Sequence, residues 1–203
     1  INAATLSQAN APTVSATTAT AKSIDVSWTA VTNASSYTLK LYNSAGTSVL
    51  ATITGVSGTS RTINSADYAS IAGATDYKAS VTAVGTGNYA TGAESTLSSL
   101  VTTLAAAANP TISGQPSAAS KTIGQSVTFS VTASASDSGS LSYQWQKGGV
   151  NISGATSSSY TFTTASGDNG NYQVVVTNTK NGTTATTTSN SVALSLSSAL
   201  TIT

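Results

Sequence analysis

The stretch Asp168-Asn169-Gly170-Asn171-Tyr172-Gln173-Val174 decides the fold of the second half of this 203-residue chain. It begins as a turn, because Asp, Asn and Gly accept the backbone conformations that turns require. It continues as an alternating run in which Tyr172 and Val174 share one face. Trp145 lies upstream in another alternating run, Tyr143–Lys147. These patterns predict strands that bury one face in a common core.

The same alternation extends over the rest of the chain, with turn-forming residues about every ten positions. Ile24, Val26 and Trp28 share a face of one predicted strand. The segment Asn43–Gly46 predicts a hairpin turn after a second strand that ends at Tyr42. We therefore predict an all-β chain of two tandem antiparallel β-sandwiches.

The first half resembles a fibronectin type III domain over residues 11–104. The resemblance rests on a Pro-led first strand, a second strand that ends in a Trp, a Tyr-x-Leu-x-Leu strand and a Tyr-x-x-x-Val-x-Ala-Val strand; these are Ala11–Val14, Trp28, Tyr37–Leu41 and Tyr77–Val84. The family's Arg-Gly-Asp adhesive tripeptide is absent, because Thr62 follows the lone Arg61.

The second half resembles a bacterial immunoglobulin-like domain over residues 111–197. Its matching segments are Gly124–Val131, Tyr143–Lys147, Tyr160–Phe162, Asp168–Val174 and Ser191–Leu196.

The immunoglobulin resemblance implies roles for individual residues. Val131 and Val174 take the two positions that normally hold a disulfide. Trp145 packs over this pair, and the hydroxyl of Tyr172 bonds back to the backbone. Asp168 makes a local structural contact.

The segments outside the two domains are predicted as connections. Residues 105–110 form the linker, which we expect to be extended because Pro110 and the short length disfavour a helix. Residues 1–10 and 198–203 are extensions at either end. They are expected either to lead into neighbouring modules of a longer protein or to add a strand to another subunit, with Leu6, Leu200 and Ile202 as the apolar residues of such a donated strand.

Composition excludes several classes of function. Charged residues make up 6% of the chain and the net charge is +1. No basic patch is present for nucleic acid or an anionic membrane surface, and no apolar run is long enough to span a bilayer. The absence of Met and the start at Ile1 indicate a processed or excised product. A Ser-, Thr- and Ala-rich chain with few lysines is typical of an extracellular or cell-surface prokaryotic protein.

The chain contains no histidine and no cysteine, which removes the commonest general base, the thiol nucleophile and the usual zinc ligands. No two of its carboxylates are spaced like a glycosidase pair or a calcium loop. We expect no catalysis, no cofactor and no metal.

Two tyrosines are candidate ligand or subunit contacts. Tyr42 is out of register with Leu39 and Leu41, so it is expected to face away from the core. Tyr89 lies in the Gly85–Gly92 loop, a connection that recognition modules often use. Three sequons, at Asn33, Asn151 and Asn181, are possible glycosylation sites.

Two functions are favoured by this sequence, and a virion surface or tail decoration is a third, for which the sequence offers only compatible folds. The first is a non-enzymatic structural protein that self-assembles into a filament, a surface layer or an adhesin stalk. The alternative is a pair of accessory modules from a secreted polysaccharide-degrading enzyme, with polysaccharide as the partner.

Overall fold

The computed structural model describes residues 4–5, 11–87 and 89–198. The chain is all-β and divides into two compact units, Ile1–Ala106 and Ala107–Thr203. The strands are β1 (Ala4–Thr5), β2 (Val14–Thr20), β3 (Ser23–Trp28), β4 (Ala34–Asn43), β5 (Val49–Val56), β6 (Ser60–Ile63), β7 (Asp76–Gly85), β8 (Tyr89–Ala90), β9 (Val101–Thr102), β10 (Thr111–Gly114), β11 (Ala119–Thr122), β12 (Ser126–Ser130), β13 (Thr132–Ser134), β14 (Ser140–Lys147), β15 (Val150–Asn151), β16 (Ser159–Thr163), β17 (Gly170–Lys180), β18 (Thr183–Thr188) and β19 (Val192–Ser197).

The first unit is a sandwich of a three-stranded sheet, β2-β3-β6, and a four-stranded sheet, β5-β4-β7-β9. Ile24, Val26 and Trp28 of β3 are buried, as the alternation predicts. On the facing sheet Tyr37 and Leu39 are buried too, and all of these side chains belong to one apolar cluster. A separate parallel pair joins β1 to β8.

Two serines attach the segment before β9 to β7. The backbone N–H of Ser95 donates to the carbonyl of Val81 (2.9 Å), and that of Ser98 donates to Ala79 (2.8 Å). Both serine hydroxyls accept hydrogen bonds in return, from the N–H groups of Val81 and Ala79 at 3.0 Å. These side chains replace part of a regular ladder, and they place the neighbouring Glu94 beside the sheet.

The second unit has a six-stranded sheet with the order β11-β19-β17-β14-β15, in which β18 also pairs with β17. The pairs β12-β16 and β10-β13 face it. Strand β11 runs parallel to β19, and the other pairs of this unit are antiparallel. One apolar cluster includes side chains from both sides, among them Phe129, Trp145 and Val174.

The roles implied for the Asp168–Val174 stretch are present in the structure. Tyr172 is buried, and its hydroxyl donates to the carbonyl of Asp168 (2.8 Å). Burial, together with the negative charge of Asp168, raises the pKa of Tyr172 to about 12. The Asp168 carboxylate accepts the N–H of Ala165 (2.8 Å), which closes the turn.

The second half of the predicted linker is fixed to the second unit by side chains. The N–H of Ala107 donates to the Thr183 hydroxyl (2.7 Å), and the Thr187 hydroxyl donates to the carbonyl of Pro110 (2.7 Å). The N–H of Ala108 donates to the Asp137 carboxylate (2.8 Å). Residues 107–110 are therefore part of the second unit.

Introducing cysteines at the two disulfide positions tests the valine pair. Val131 and Val174 are both buried, in the same cluster. We expect the double variant Val131→Cys, Val174→Cys to form a disulfide, because the immunoglobulin resemblance implies that these are the two bridge positions. Such a bridge stabilises a small domain by about 2 to 4 kcal/mol. Denaturant unfolding with and without reductant measures the gain, and failure to form the bridge would contradict the assignment.

Candidate functional surface of the first unit

Tyr42 lies on the outer face of the β4-β7 sheet, where its hydroxyl donates to Glu94 Oε1 (2.6 Å). Lys40 Nζ forms an ion pair with Glu94 Oε2 (2.6 Å), and the Ser80 hydroxyl also donates to Glu94. We call these four residues, Lys40, Tyr42, Ser80 and Glu94, the Glu94 cluster. Side chains from β4, from β7 and from the segment before β9 therefore meet at one carboxylate.

The Glu94 cluster keeps its carboxylate ionised. Burial opposes the charge, but the hydrogen bonds from Lys40, Ser80 and Tyr42 outweigh it and lower the pKa of Glu94 to about 2. Since this value lies below the ordinary 4.5, ionised Glu94 stabilises the fold above about pH 4.5. That stabilisation is lost as the pH falls from 4.5 toward 2. Such a carboxyl is poorly suited to general acid catalysis near neutral pH.

The arrangement restricts what Tyr42 can offer a ligand. Its hydroxyl already donates to Glu94, and its ring is half-buried. Burial and the hydrogen bond to Glu94 raise its pKa. The exposed part of the ring is what remains for a contact, so the ligand or subunit role of Tyr42 stays a prediction.

Tyr89 has 37% of its surface exposed, and its strand is paired within the chain. Ala4 and Thr5 lie beside Tyr89 and Ala90 in the β1-β8 pair. Gly85 permits this loop to close, since a Cβ atom there would lie 2.3 Å from the Tyr89 carbonyl oxygen. The exposed side chain of Tyr89 therefore remains a predicted ligand or subunit contact.

The predicted sequons occupy three different settings. Asn151 is exposed on β15, where its side-chain oxygen accepts the Gln146 amide (2.8 Å). Asn33 and Asn181 are half-buried and have left-handed backbone, with φ of 64° and 49°. Asn151 is therefore the most accessible of the three.

The predicted strand-donation residues Leu6, Leu200 and Ile202 lie outside the described residues.

Each of the six carboxylates in the chain accepts a hydrogen bond from the framework around it. Asp137 is the clearest case in the second unit, because the N–H groups of Ala108 and Gly139 lower its pKa to about 2, aided by Asn178 and Lys180. The six and their donors are Asp25 with Thr62, Asp67 with Arg61 and Asn64, Asp76 with Thr102, Glu94 with its cluster, Asp137 with Ala108, Gly139 and Asn178, and Asp168 with Ala165. The carboxylates therefore serve as local structural ties.

The described part of the chain also lacks other kinds of site. It contains no group of three or more His, Cys, Asp or Glu side chains able to hold a metal ion. It likewise contains no helix long and apolar enough to cross a membrane.

Sequence reasoning missed two features of the first unit. Glu94 is the hub of the polar cluster, although its partners Lys40 and Tyr42 lie 54 and 52 residues away. The open edge of strand β5 is the other: the strand ends the β5-β4-β7-β9 sheet, so one side of its eight residues is unpaired by any other described strand. The only sequence signal for this open edge was a stretch rich in β-branched residues and free of charged ones.

No family profile and no curated protein matches the chain. Several solved structures are similar to the chain. The CbhA fibronectin(III)-like modules of Clostridium thermocellum are 17% identical, with 92% of this chain and 95% of that chain covered and a TM-score of 0.43. The FN1–FN3 domains of chicken CNTN1 are 17% identical, with 95% and 69% covered and a TM-score of 0.39. The Ig1-2 module of the Drosophila receptor protein tyrosine phosphatase DLAR is 14% identical, with 93% and 97% covered and a TM-score of 0.37. These neighbours are fibronectin type III and immunoglobulin-like domains.

The substitution Tyr42→Phe tests the Glu94 cluster. It removes one of the hydrogen bonds that favour the ionised carboxyl, so we expect the pKa of Glu94 to rise toward its ordinary value. An NMR titration of the Glu94 side-chain carboxyl measures the change. Tyr89→Phe is the matched control and should leave that pKa where it is. An unaltered Glu94 titration in Tyr42→Phe would show that the hydroxyl contributes nothing.

Proposed function

We propose that the chain is a non-enzymatic structural protein of the prokaryotic cell surface or extracellular space, and that its copies self-associate. The observation that carries the proposal is the use of all six carboxylates as local structural ties, with a sheet edge left open in the first unit. The fold supports a structural or spacer role, because sandwich domains of these classes generally serve as such modules.

The chemistry of the described residues supports a non-enzymatic role. Hydrogen bonds lower the pKa of Glu94 and of Asp137 to about 2, which is far from the range where a general acid or base works best near neutral pH. The chain has no histidine or cysteine to take over that work.

The electrostatics support self-association. Seven basic and six acidic residues leave a net charge of +1 on 203 residues. A net charge near zero offers little repulsion between copies and promotes association. Neutral Ser and Thr side chains greatly outnumber the charged ones, and they can approach a second copy at a lower desolvation cost than charges.

The location is inferred from composition. The Ser-, Thr- and Ala-rich sequence contains few lysines and no cysteine, as is common among secreted prokaryotic surface proteins. A filament, a surface layer and an adhesin stalk each bring many modules into contact, so a self-associating pair of sandwiches fits any of the three.

Concentration-dependent light scattering and electron microscopy of the full chain test the proposal. We expect the weight-average mass to rise with concentration and to remain nearly independent of salt, because the contact carries little charge. A chain that stays monomeric at millimolar concentration would refute self-association.

Deletion of residues 1–10 and of residues 199–203, each in a separate variant, tests the contribution of the extensions. If a donated strand carries the assembly, one of the two deletions should abolish it while the circular dichroism of the sandwiches is retained. Unchanged assembly in both variants would exclude strand donation and leave the sandwiches themselves as the source of the contact.

A further inference from the structure

We propose that strand β5 of one copy pairs antiparallel with β5 of a second copy about a two-fold axis at Thr52. The inference rests on the proposed self-association and names the contact that produces it. It follows from the open edge of β5, from the absence of charge on that strand, and from the face on which each of its residues lies.

An edge strand carries a row of backbone N–H and C=O groups that another strand can pair with. Strand β5 is eight residues long and contains neither a charged residue nor a proline, the two devices that most directly protect an edge. Its side chains Leu50, Ala51 and Ile53 are only partly buried against the core. The sheet ends there, so an added strand would cover apolar surface as well as pair the backbone.

The other terminal strands among the described residues are shorter than β5, and some are also partly covered or carry charge. In the first unit the C-terminal end of β2 is covered, because the N–H of Leu104 donates to Thr20 (3.3 Å) and the Thr18 hydroxyl donates to Thr102. Strand β6 has four residues and carries the Arg61–Asp67 ion pair. In the second unit, β11 has four residues and carries Lys121, and β16 has five.

A second copy of β5 is the partner that matches this edge. The strand offers the same length and the same lack of charge, so a two-fold contact brings no like charges together and leaves no charge unpaired. An isologous contact of this kind is also the commonest symmetry of soluble homo-oligomers. A donated strand from an extension of the chain, or an unrelated protein, would compete for the same edge.

The alternation of the strand fixes the register. Irregularities on both sides leave Ala51, Thr52 and Ile53 as the regular part of the β4-β5 ladder, opposite Leu41, Lys40 and Leu39 respectively. Facing residues of antiparallel strands lie on the same side of the sheet. Ala51 and Ile53 share the core side and Thr52 lies on the outer side. A two-fold axis at Thr52 therefore sets Thr52 opposite its own copy and Ala51 opposite Ile53.

A single cysteine tests this register, because the chain has no cysteine of its own. In Thr52→Cys the two thiols of a pair would face each other at a separation that a disulfide can bridge. We expect a covalent dimer on a non-reducing gel under mild oxidation, formed at least about tenfold faster than in Ser27→Cys. Ser27 is the matched control, since it is exposed on the central strand β3. Equal rates in the two variants would overturn the proposal.

Opposite charges at the same position provide a second, independent test. In Thr52→Lys, and separately in Thr52→Glu, like charges would face each other across the axis, so each variant should raise the dissociation constant of the pair at least about tenfold. An equimolar mixture of the two should associate again, because each lysine then faces a glutamate. Lys40 lies opposite Thr52 within one copy, and the recovery on mixing separates the contact between copies from any effect on that neighbour.

The outcomes separate this inference from the proposed function. Association of the unaltered chain without preferential cross-linking and without recovery on mixing would overturn the β5 contact and leave self-association standing. A chain that is monomeric at every concentration would refute both. Cross-linking that appears only when residues 1–10 or 199–203 are removed would assign the edge of the unaltered chain to a donated strand and overturn the two-fold pairing.

Discussion

Aromatic contacts join the two sheets in each sandwich, and the rest of the structure depends on this kind of packing because a chain without cysteine has no disulfide. In the second unit Phe129 of β12 stacks on Tyr172 of β17, with ring centroids 4.9 Å apart. In the first unit Trp28 of β3 meets Tyr37 of β4 edge to face at 5.3 Å. Such pairs add about 0.5 to 1.5 kcal/mol beyond the area that they bury. The apolar side chains on the buried faces of the strands supply the rest of the packing between the sheets.

With the cores held by apolar packing, the few charged groups act locally. Asp168 closes the turn before β17, Asp137 fixes the first residues of the second unit, and Glu94 joins the segment before β9 to β4 and β7. Each carboxylate accepts hydrogen bonds from groups that folding brings to it, and for Glu94 and Asp137 this keeps the pKa near 2. The charged groups therefore act inside the units, and few charged side chains remain to protect the edges of the sheets from pairing with another strand.

The parts of the fold that sequence predicts are those set by local pattern. Period-two alternation places Ile24, Val26 and Trp28 in the core, and the Asp168–Val174 stretch identifies its own turn and the bonded hydroxyl of Tyr172. The Glu94 cluster is different, because it depends on which strands are neighbours and on how the Ser95 and Ser98 bonds set the register before β9. The open edge of β5 has the same origin: the end of a sheet is a property of strand order, which alternation along one strand does not contain.

The geometry of β5 also limits what a contact there can build. A two-fold pairing uses the edge on both copies and is closed, so it produces a pair and no filament. The irregularities that flank Ala51–Ile53 shorten the regular ladder, which weakens the pairing and guards against uncontrolled stacking of edges. Growth beyond a pair therefore requires a second, different contact. Among the described strands, β2, β12 and β16 are terminal strands without charge, and each is shorter than β5, which makes it a weaker edge.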